Sequence, residues 1–372
     1  MNRVLLGDVV QINPSTKISK GQPVKFISMD KLGPFTKIPN GYEKRKFSSG
    51  TKFTNGDTLL ARITPCLENG KTAFVDFLDE LEVAAGSTEF VILRNIEGLT
   101  DPDYIYYLSI SPAFRDYAIK SMVGTSGRQR VQNDVLAKME LSLPPLDQQK
   151  KIANILGSLD EKIELNRRMN ETLEQLGQTL FRHYFADNPE TVGWKSGTLG
   201  DIIVNFDSKR KPLSSRQRAK MQGDYRYFGA TSVMDHVNDY LFDGTYLLLA
   251  EDGSVMRSDG TPYLQYVWGR FWINNHAHII QAKYPFTVEY LYLLLAKTNV
   301  QSLVSGAVQL KINQRAMNSL VISIPPDDLV IKFCNLVNSL FAQYRENEEQ
   351  IELLVNLRES LLPKLISGGI ET

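Results

Sequence analysis

Leu143-Pro144-Pro145-Leu146-Asp147-Gln148-Gln149-Lys150-Lys151-Ile152 decides how this chain is read, because its opening returns as Ile324-Pro325-Pro326-Asp327, an offset of 181 residues from Pro144 to Pro325. From Ile152, steps of three and four residues meet Leu156, Leu159, Ile163, Asn166, Asn170, Leu173, Gly177, Leu180 and Tyr184. The same steps 181 residues on meet Phe333, Val337, Leu340, Tyr344, Asn347, Ile351, Leu354, Arg358, Leu361 and Leu365. Charges such as Glu161, Lys162, Glu164, Arg167, Glu348, Glu349 and Glu352 fall between them. This periodicity predicts two long amphipathic helices, each with a narrow coiled-coil seam. A proline pair followed by Asp147 or Asp327 suits a helix start, where proline is tolerated and aspartate can cap. A helix over 152–184 would be on the order of 50 Å long at ~1.5 Å per residue. The candidate pairing residues are Ile152, Leu156, Leu159, Ile163, Asn166, Leu173, Leu180, Phe333, Val337, Leu340, Tyr344, Asn347, Ile351, Leu354 and Leu361. Asn166 and Asn347 occupy the same repeat position. Antiparallel pairing would bring them together as a register-fixing layer; the alternative puts them on the solvated edge of an imperfect seam. The triplet Asp160-Glu161-Lys162 reads as a solvated helix face.

Working outward, the segments before each helix also echo one another. Leu6-Gly7-Asp8-Val9-Val10 returns as Leu199-Gly200-Asp201-Ile202-Ile203, and Gly56-Asp57-Thr58-Leu59-Leu60 as Gly244-Thr245-Tyr246-Leu247-Leu248. Short β-like runs (Thr58–Ile63, Glu89–Leu93, Tyr246–Ala250, His278–Gln281) alternate with Gly, Pro and Asn punctuation. Tyr104–Tyr107 and Tyr290–Leu295 read as short apolar helices, and 186–196 as a linker. The expected fold is α+β, with two globular domains separated by two long helices that form an antiparallel coiled coil, under an internal pseudo-twofold repeat. The boundaries read as 1–143 for the first globular domain, 144–187 for the central helix, 188–324 for the second domain and 325–372 for the C-terminal helix.

A length of 372 residues suits two or more domains, and 42% hydrophobic residues with a mean hydropathy of −0.22 describe a folded chain. No apolar run approaches the ~18 residues of a membrane span. Asp8 interrupts what a signal peptide needs as an apolar core. Cys66 and Cys334 are the two cysteines, too few for a disulfide framework or a structural zinc site. A reducing cytoplasm fits best. The net charge of zero is a cancellation: Lys/Arg against Asp/Glu is 18/16 in 1–145 and 14/11 in 189–326, but 6/7 in 146–188 and 4/8 in 327–372. The globular segments are thus the basic ones, and charge location governs polyanion binding.

The catalytic inventory is empty. Asn69-Gly70-Lys71-Thr72 resembles the end of a P-loop, but Pro65 stands where its first glycine belongs. There is no dinucleotide fingerprint, no nucleophile elbow and no Asn/Asp-Pro-Pro-Tyr/Phe of amino-methyltransferases. His276-x-His278 could present two imidazoles on one strand face, but further ligands are hard to supply, so a structural or surface role is favoured and no metal is expected.

Basic loops, by contrast, occur in both globular segments. Residues 205–220 hold six basic residues and one acid. The first segment has Lys44-Arg45-Lys46 and Gly124-Thr125-Ser126-Gly127-Arg128-Gln129-Arg130, whose counterpart is Gly306 to Lys311. Arginine can fork onto guanine and glutamine onto adenine. The candidate DNA contacts are Lys44, Arg45, Lys46, Arg62, Lys71, Arg128, Gln129 and Arg130, then Lys209, Arg210, Lys211, Arg216, Arg218, Arg257, Lys311 and Arg315. Two unlike readers on a spacer would address an asymmetric, interrupted target, with half-sites about one helical turn (~34 Å) or slightly more apart.

Taken together, the chain resembles the specificity subunit of type I restriction–modification enzymes. The resemblance rests on Leu6-Gly7-Asp8, Leu199-Gly200-Asp201, Pro65-Cys66-Leu67-Glu68-Asn69-Gly70-Lys71 and both Pro-Pro helix entries, in order along essentially the whole chain. The second copy departs from it: Asp327-Asp328-Leu329-Val330-Ile331 lacks the Gln pair, and Pro-Cys-Leu-Glu-Asn-Gly-Lys has no clear equivalent. The resemblance implies a non-catalytic subunit with two target-recognition domains. It implies double-stranded DNA, two adenine-methylating modification subunits and restriction subunits as partners. S-adenosylmethionine, ATP and Mg are then expected on those partners and no cofactor in this chain. The competing readings are a protein-binding scaffold without DNA specificity and a self-contained enzyme lacking familiar motifs.

Overall fold

Both proline pairs lead into a helix: Leu146–Phe181 with 36 residues and Asp327–Ile366 with 40. The computed structural model describes residues 2–125, 127–306 and 309–370. The chain forms two compact units, one of Met1–Leu165 with Gln350–Thr372 and one of Asn166–Glu349. Each unit therefore consists of a globular part, half of the central helix and half of the C-terminal helix, so the helices do not stand apart from the globular parts.

In unit 1 the first described strand, Asn2–Leu5, clasps Glu140–Leu143 antiparallel just before the helix entry. A four-stranded antiparallel sheet runs Val10–Ile12, Phe90–Asn95, Thr58–Ala61, Thr72–Phe74. A second sheet runs Glu43–Lys46, Pro23–Ile27, Ala84–Gly86, Thr51–Phe53, with its middle pair parallel. Unit 2 repeats this topology. Lys195–Thr198 clasps Val321–Ile324. One sheet runs Ile203–Asn205, Ala277–Ala282, Tyr246–Ala250, Leu264–Val267, and the other Val233–Val237, Gln222–Phe228, Arg270–Ile273, Phe242–Asp243, again with a parallel middle pair. The stretch read as a linker holds a turn, Pro189–Gly193, and the start of that clasp.

Strand register corrects one sequence echo. Ile12 pairs Leu93, which pairs Thr58; Asn205 pairs Ile280, which pairs Leu247. Thr58 thus corresponds to Leu247, not Tyr246. A one-residue slip matters in a sheet because it exchanges the two faces. The Leu-Gly-Asp echo survives and has a steric reason: a Cβ on Gly7 would lie 3.1 Å from Ala137 Cβ, and on Gly200 3.1 Å from Asn318 Cβ. In both units that turn packs directly on a short helix, Asn133–Ala137 or Gln314–Asn318.

The apolar helices come out as Pro102–Ile110, capped by the Asp101 side chain, and Val288–Leu295, capped by Thr287. Tyr104, Tyr106, Tyr107, Tyr290, Leu291 and Leu293 are buried against the long helices of their own units. Gln149, wholly buried at the helix entry, donates to Leu99 O at 3.1 Å and Pro144 O at 2.9 Å and accepts from Asp101 N at 2.9 Å. Its repeat counterpart, Val330, fills the place with hydrocarbon.

Helix pairing is antiparallel within each unit. In unit 1 Asp160 meets Arg358, and Ile152 and Leu156 share a core with Leu362 and Leu365. In unit 2 Asn170 meets Asn347, and Gly177 faces Phe341. Ile152, Leu156, Ile163, Asn166, Phe333, Val337 and Asn347 are buried; Leu159, Leu173, Leu180, Leu340, Tyr344, Ile351, Leu354 and Leu361 are half-buried. The seam is wider than expected. Ala153, Asp160, Val330, Cys334, Phe341, Arg358, Leu362 and Leu365 are buried as well. A two-position heptad seam serves one partner helix, whereas each half-helix here also packs on its unit's globular part. One reading is corrected. Asp160 is no solvated residue but a buried one, held by Arg358 and Tyr107. Asn347 donates to Asn170 Oδ1 at 2.8 Å, one turn along from Asn166, and Asn170 donates to Glu348 Oε1 at 2.7 Å.

Candidate nucleic-acid interface

In both units the strand that follows the Thr58/Leu247 register is continued by a loop, and a hairpin is clipped onto that loop by backbone hydrogen bonds. In unit 1, Arg62 N donates to Glu89 O at 2.9 Å, Val131 N to Arg62 O at 2.9 Å and Thr64 N to Gln129 O at 3.1 Å. Val123 and Arg130 exchange two bonds of 3.0 Å, which closes the hairpin. In unit 2, Glu251 N donates to His276 O at 2.8 Å, Ile312 N to Glu251 O at 2.9 Å, and Ser305 and Lys311 exchange two bonds of 2.8 Å. Ser126, Ala307 and Val308, within the two predicted loop motifs, lie outside the described residues.

The backbone is shared, but the side chains along the edge differ. Arg62 sits where unit 2 has Glu251, Glu89 where it has His276, and Arg130 where it has Lys311. In unit 1 the Arg130 guanidinium grips Glu89 through Nη2–Oε1 at 2.7 Å and Nε–Oε2 at 2.9 Å. That bond holds the Glu89 carboxyl below its ordinary value. Arg62 Nη2 donates to Val131 O at 3.0 Å, so Arg62, Gln129 and Arg130 come together on one edge. The Pro65–Lys71 stretch is a self-bonded turn, with Asn69 N on Pro65 O at 2.9 Å and Lys71 N on Cys66 O at 3.1 Å. Its Lys71 ammonium turns to Met29 O at 3.0 Å.

Unit 2 places a buried network under the same edge. Asp207 Oδ2 lies 2.5 Å from His278 Nδ1, and His278 Nε2 lies 2.8 Å from Ile312 O. A carbonyl only accepts, so Nε2 donates to Ile312 O, and His278 bridges that carbonyl and the Asp207 carboxylate. Burial alone would raise Asp207, but the bond and charge of His278, the Ile279 amide and Arg210 outweigh it. Glu251 joins the network, 2.7 Å from Arg210 Nη1 and 3.2 Å from Lys311 Nζ, and is likewise lowered against its own burial. Asp207, Glu251 and His278 bring three potential ligand atoms within 4.8 Å of one another. Both imidazole nitrogens are engaged and two protein cations sit on the carboxylates, which ties the cluster together as a hydrogen-bonded network. His276, for its part, meets Asp252 at 2.7 Å.

The remaining basic candidates are dispersed. Lys44, Arg45 and Lys46 are exposed on the edge strand Glu43–Lys46, with Arg45 stacked on Phe26. Arg128 is exposed, as are Lys209, Lys211, Arg216, Arg257, Lys311 and Arg315. Arg218 is turned inward, to Asp235 at 2.9 Å and Leu213 O at 2.8 Å. Sequence reasoning found the bases and missed the acids that hold them. One signal was present: Asp207 is the single acid of the basic stretch 205–220.

The type I restriction modification DNA specificity domain model matches residues 1–175 and 191–329. The chain belongs to that family. It carries two such domains, one per unit's globular part. Among curated relatives, the type I restriction enzyme MjaIX specificity subunit of Methanocaldococcus jannaschii is 26% identical over 304 residues, 72% of this chain and 69% of its own length. The HindI specificity subunit of Haemophilus influenzae is 34% identical over 147 residues, 39% of this chain and 31% of its own. The crystal structure of the type I restriction–modification S subunit from M. genitalium aligns over 98% of this chain and 96% of its own at 16% identity, TM-score 0.56, which shows a shared fold. Among the described residues no helix is long and apolar enough to cross a membrane.

Proposed function

We propose that each globular part reads one half of an asymmetric, interrupted DNA target, and that the helices set the gap and dock modification subunits. The observation that carries this reading is the pair of hairpins, clipped by the same backbone bonds to equivalent sheet edges that bear unlike side chains. A duplicated frame with unlike side chains suits two different half-sites. Arg128, Gln129, Arg130, Lys209, Arg210, Lys211 and Lys311 are the residues from which base and phosphate contacts would come, with Lys44, Arg45, Lys46, Arg216, Arg257 and Arg315 adding exposed charge. Arg62, Lys71 and Arg218, which bond to their own units, shape the surface. Methyl transfer, with S-adenosylmethionine, and the ATP- and Mg-dependent steps would reside in partner modification and restriction subunits, since this chain carries no motif for them.

The test is a map of methylated adenines in DNA after co-expression with the candidate modification subunit. The expected result is a new bipartite motif with a fixed gap, one half of which changes when one globular part is exchanged. A stable, active complex that yields no motif would overturn the reading in favour of a protein-binding scaffold.

A further inference from the structure

Equivalent layers of the helix pairing are built from opposite materials in the two units. In unit 1, Tyr107 donates its hydroxyl to Asp160 Oδ2 at 2.8 Å, and Arg358 Nη1 donates to Asp160 Oδ1 at 2.6 Å. All three residues are buried, and Arg358 also reaches Phe35 O at 3.3 Å. The 181-residue repeat carries Asp160 onto Phe341 and Gly177 onto Arg358. Tyr107 stands six residues beyond its helix cap Asp101, and Leu293 six beyond Thr287. Unit 2 therefore fills the same layer with Leu293, Phe341 and Gly177. It is tightly filled: a Cβ on Gly177 would lie 3.3 Å from Leu293 Cδ2 and 3.5 Å from Phe341 Cε2.

Size matches across each layer, and charge across that of unit 1. Asp160 and Gly177, the small members, both belong to the central helix; Arg358 and Phe341, the large ones, both belong to the C-terminal helix. Two central helices paired in the same antiparallel register would set Asp160 against Gly177, leaving a void beside a buried carboxylate with no guanidinium. Two C-terminal helices would set Phe341 against Arg358, crowding two large side chains and burying a cation without its counter-ion. We propose that Tyr107, Asp160 and Arg358 are pairing-specificity residues, through which the central helix accepts the C-terminal helix and rejects a second copy of itself. Resting on the proposed DNA reading, the consequence is that two unlike readers stay together and the target stays asymmetric. The pairing claim itself is read out without DNA.

The experiment uses the whole chain with a protease site placed in the exposed turn Pro189–Gly193, cleaved after folding and mixed with an isotopically heavy copy. After mild denaturation and recovery, native mass spectrometry weighs the re-paired pieces. The wild type is expected to return N-terminal pieces paired only with C-terminal pieces. The variant Tyr107→Leu/Asp160→Phe/Arg358→Gly gives both units the same layer and is expected to let like pieces pair up to their statistical share. The reverse exchange, Leu293→Tyr/Phe341→Asp/Gly177→Arg, makes the same prediction and decides the matter if the first variant fails to fold, as judged by melting of the uncleaved protein. Like pairs at statistical share in the wild type, or exclusive unlike pairing in a folded variant, would overturn the proposal. Neither outcome bears on whether the chain reads DNA.

Discussion

At two places along the long helices unit 1 buries polar groups where unit 2 buries hydrocarbon, whereas beneath the hairpins unit 2 carries the larger polar network. At the helix entry Gln149 stands against Val330, and in the pairing layer Tyr107, Asp160 and Arg358 stand against Leu293, Phe341 and Gly177. Under the hairpin, unit 1 has one half-exposed ion pair, Glu89–Arg130, while unit 2 has the Asp207–His278–Glu251 network with Arg210 and Lys311. One topology thus tolerates either material at a given place, and at these places the buried polar groups are partnered. Similar strand orders leave each unit free to be stiffened by charge at a different end.

The largest effect is expected where the buried charges are fewest and most exclusive. Replacing Arg358 by Met leaves Asp160 buried with only the Tyr107 hydroxyl, and should cost about 3–5 kcal/mol in urea unfolding. Replacing the whole layer by its unit 2 counterpart should recover most of that loss, because buried ion pairs often give way to well-packed apolar groups at little net cost. If Arg358→Met unfolds at the wild-type midpoint, the contrast between the layers has no energetic content.

Next comes the network of unit 2. Asp207→Asn removes the carboxylate that meets His278 Nδ1 and should destabilise the chain by about 1–3 kcal/mol near neutral pH. The pH dependence has a definite sign. The Asp207 and Glu251 carboxyls are depressed below their ordinary values of 3.8 and 4.5, so their contribution is complete above those values and fades as the pH falls through the lower folded-state ones. Asp207→Asn should flatten the acid limb of a stability–pH curve; an unchanged limb would show that the network is not what acid breaks.

Much of this contrast lies beyond what a sequence displays. The two helices and the repeat are legible because a constant 181-residue offset preserves the heptad steps, and Ile152, Leu156, Phe333 and Val337 are indeed buried. Asp160 was not legible as a core residue. A charged triplet on a helix usually faces water, and the guanidinium that pairs with it lies 198 residues away. The hairpins were visible as basic loops, since Arg130 and Lys311 mark them. The acids that orient those bases are set by strand register, 41 residues off for Glu89 and 60 for Glu251, which no local pattern encodes. Where Val330 replaces Gln149, the departure of the second copy from the Pro-Pro-Leu-x-x-Gln pattern reads as an exchange of a bridging amide for packing.

Smaller effects probe the hairpins. Glu89→Gln should change stability by no more than about 1 kcal/mol, because the Arg130 pair is half-exposed. It releases the Arg130 guanidinium from its bidentate seat, and specific DNA affinity of the assembled complex, followed by fluorescence anisotropy, should fall by up to about tenfold. The loss should be confined to the half-site assigned to unit 1 by domain exchange. Equal losses on DNA altered in either half-site would break the assignment of one hairpin to one half.

The smallest expected change is in salt dependence. Lys44 and Lys46 lie exposed on an edge strand, whereas Arg45 between them covers the Phe26 ring. A lysine that neutralises one phosphate releases counterions, so its removal should lower the slope of log affinity against log salt by about 0.9 on duplex DNA. Lys44→Ala and Lys46→Ala should each do so without altering the methylated motif. Arg45→Ala should instead disturb packing, through the contact its guanidinium makes with the ring. The two kinds of loss are separable, since a phosphate contact weakens all sequences alike and a packing contact shows in the melting curve. An unchanged slope in both lysine variants would place the DNA away from that edge, leaving the hairpin bearing Arg128, Gln129 and Arg130 as the reading surface of unit 1.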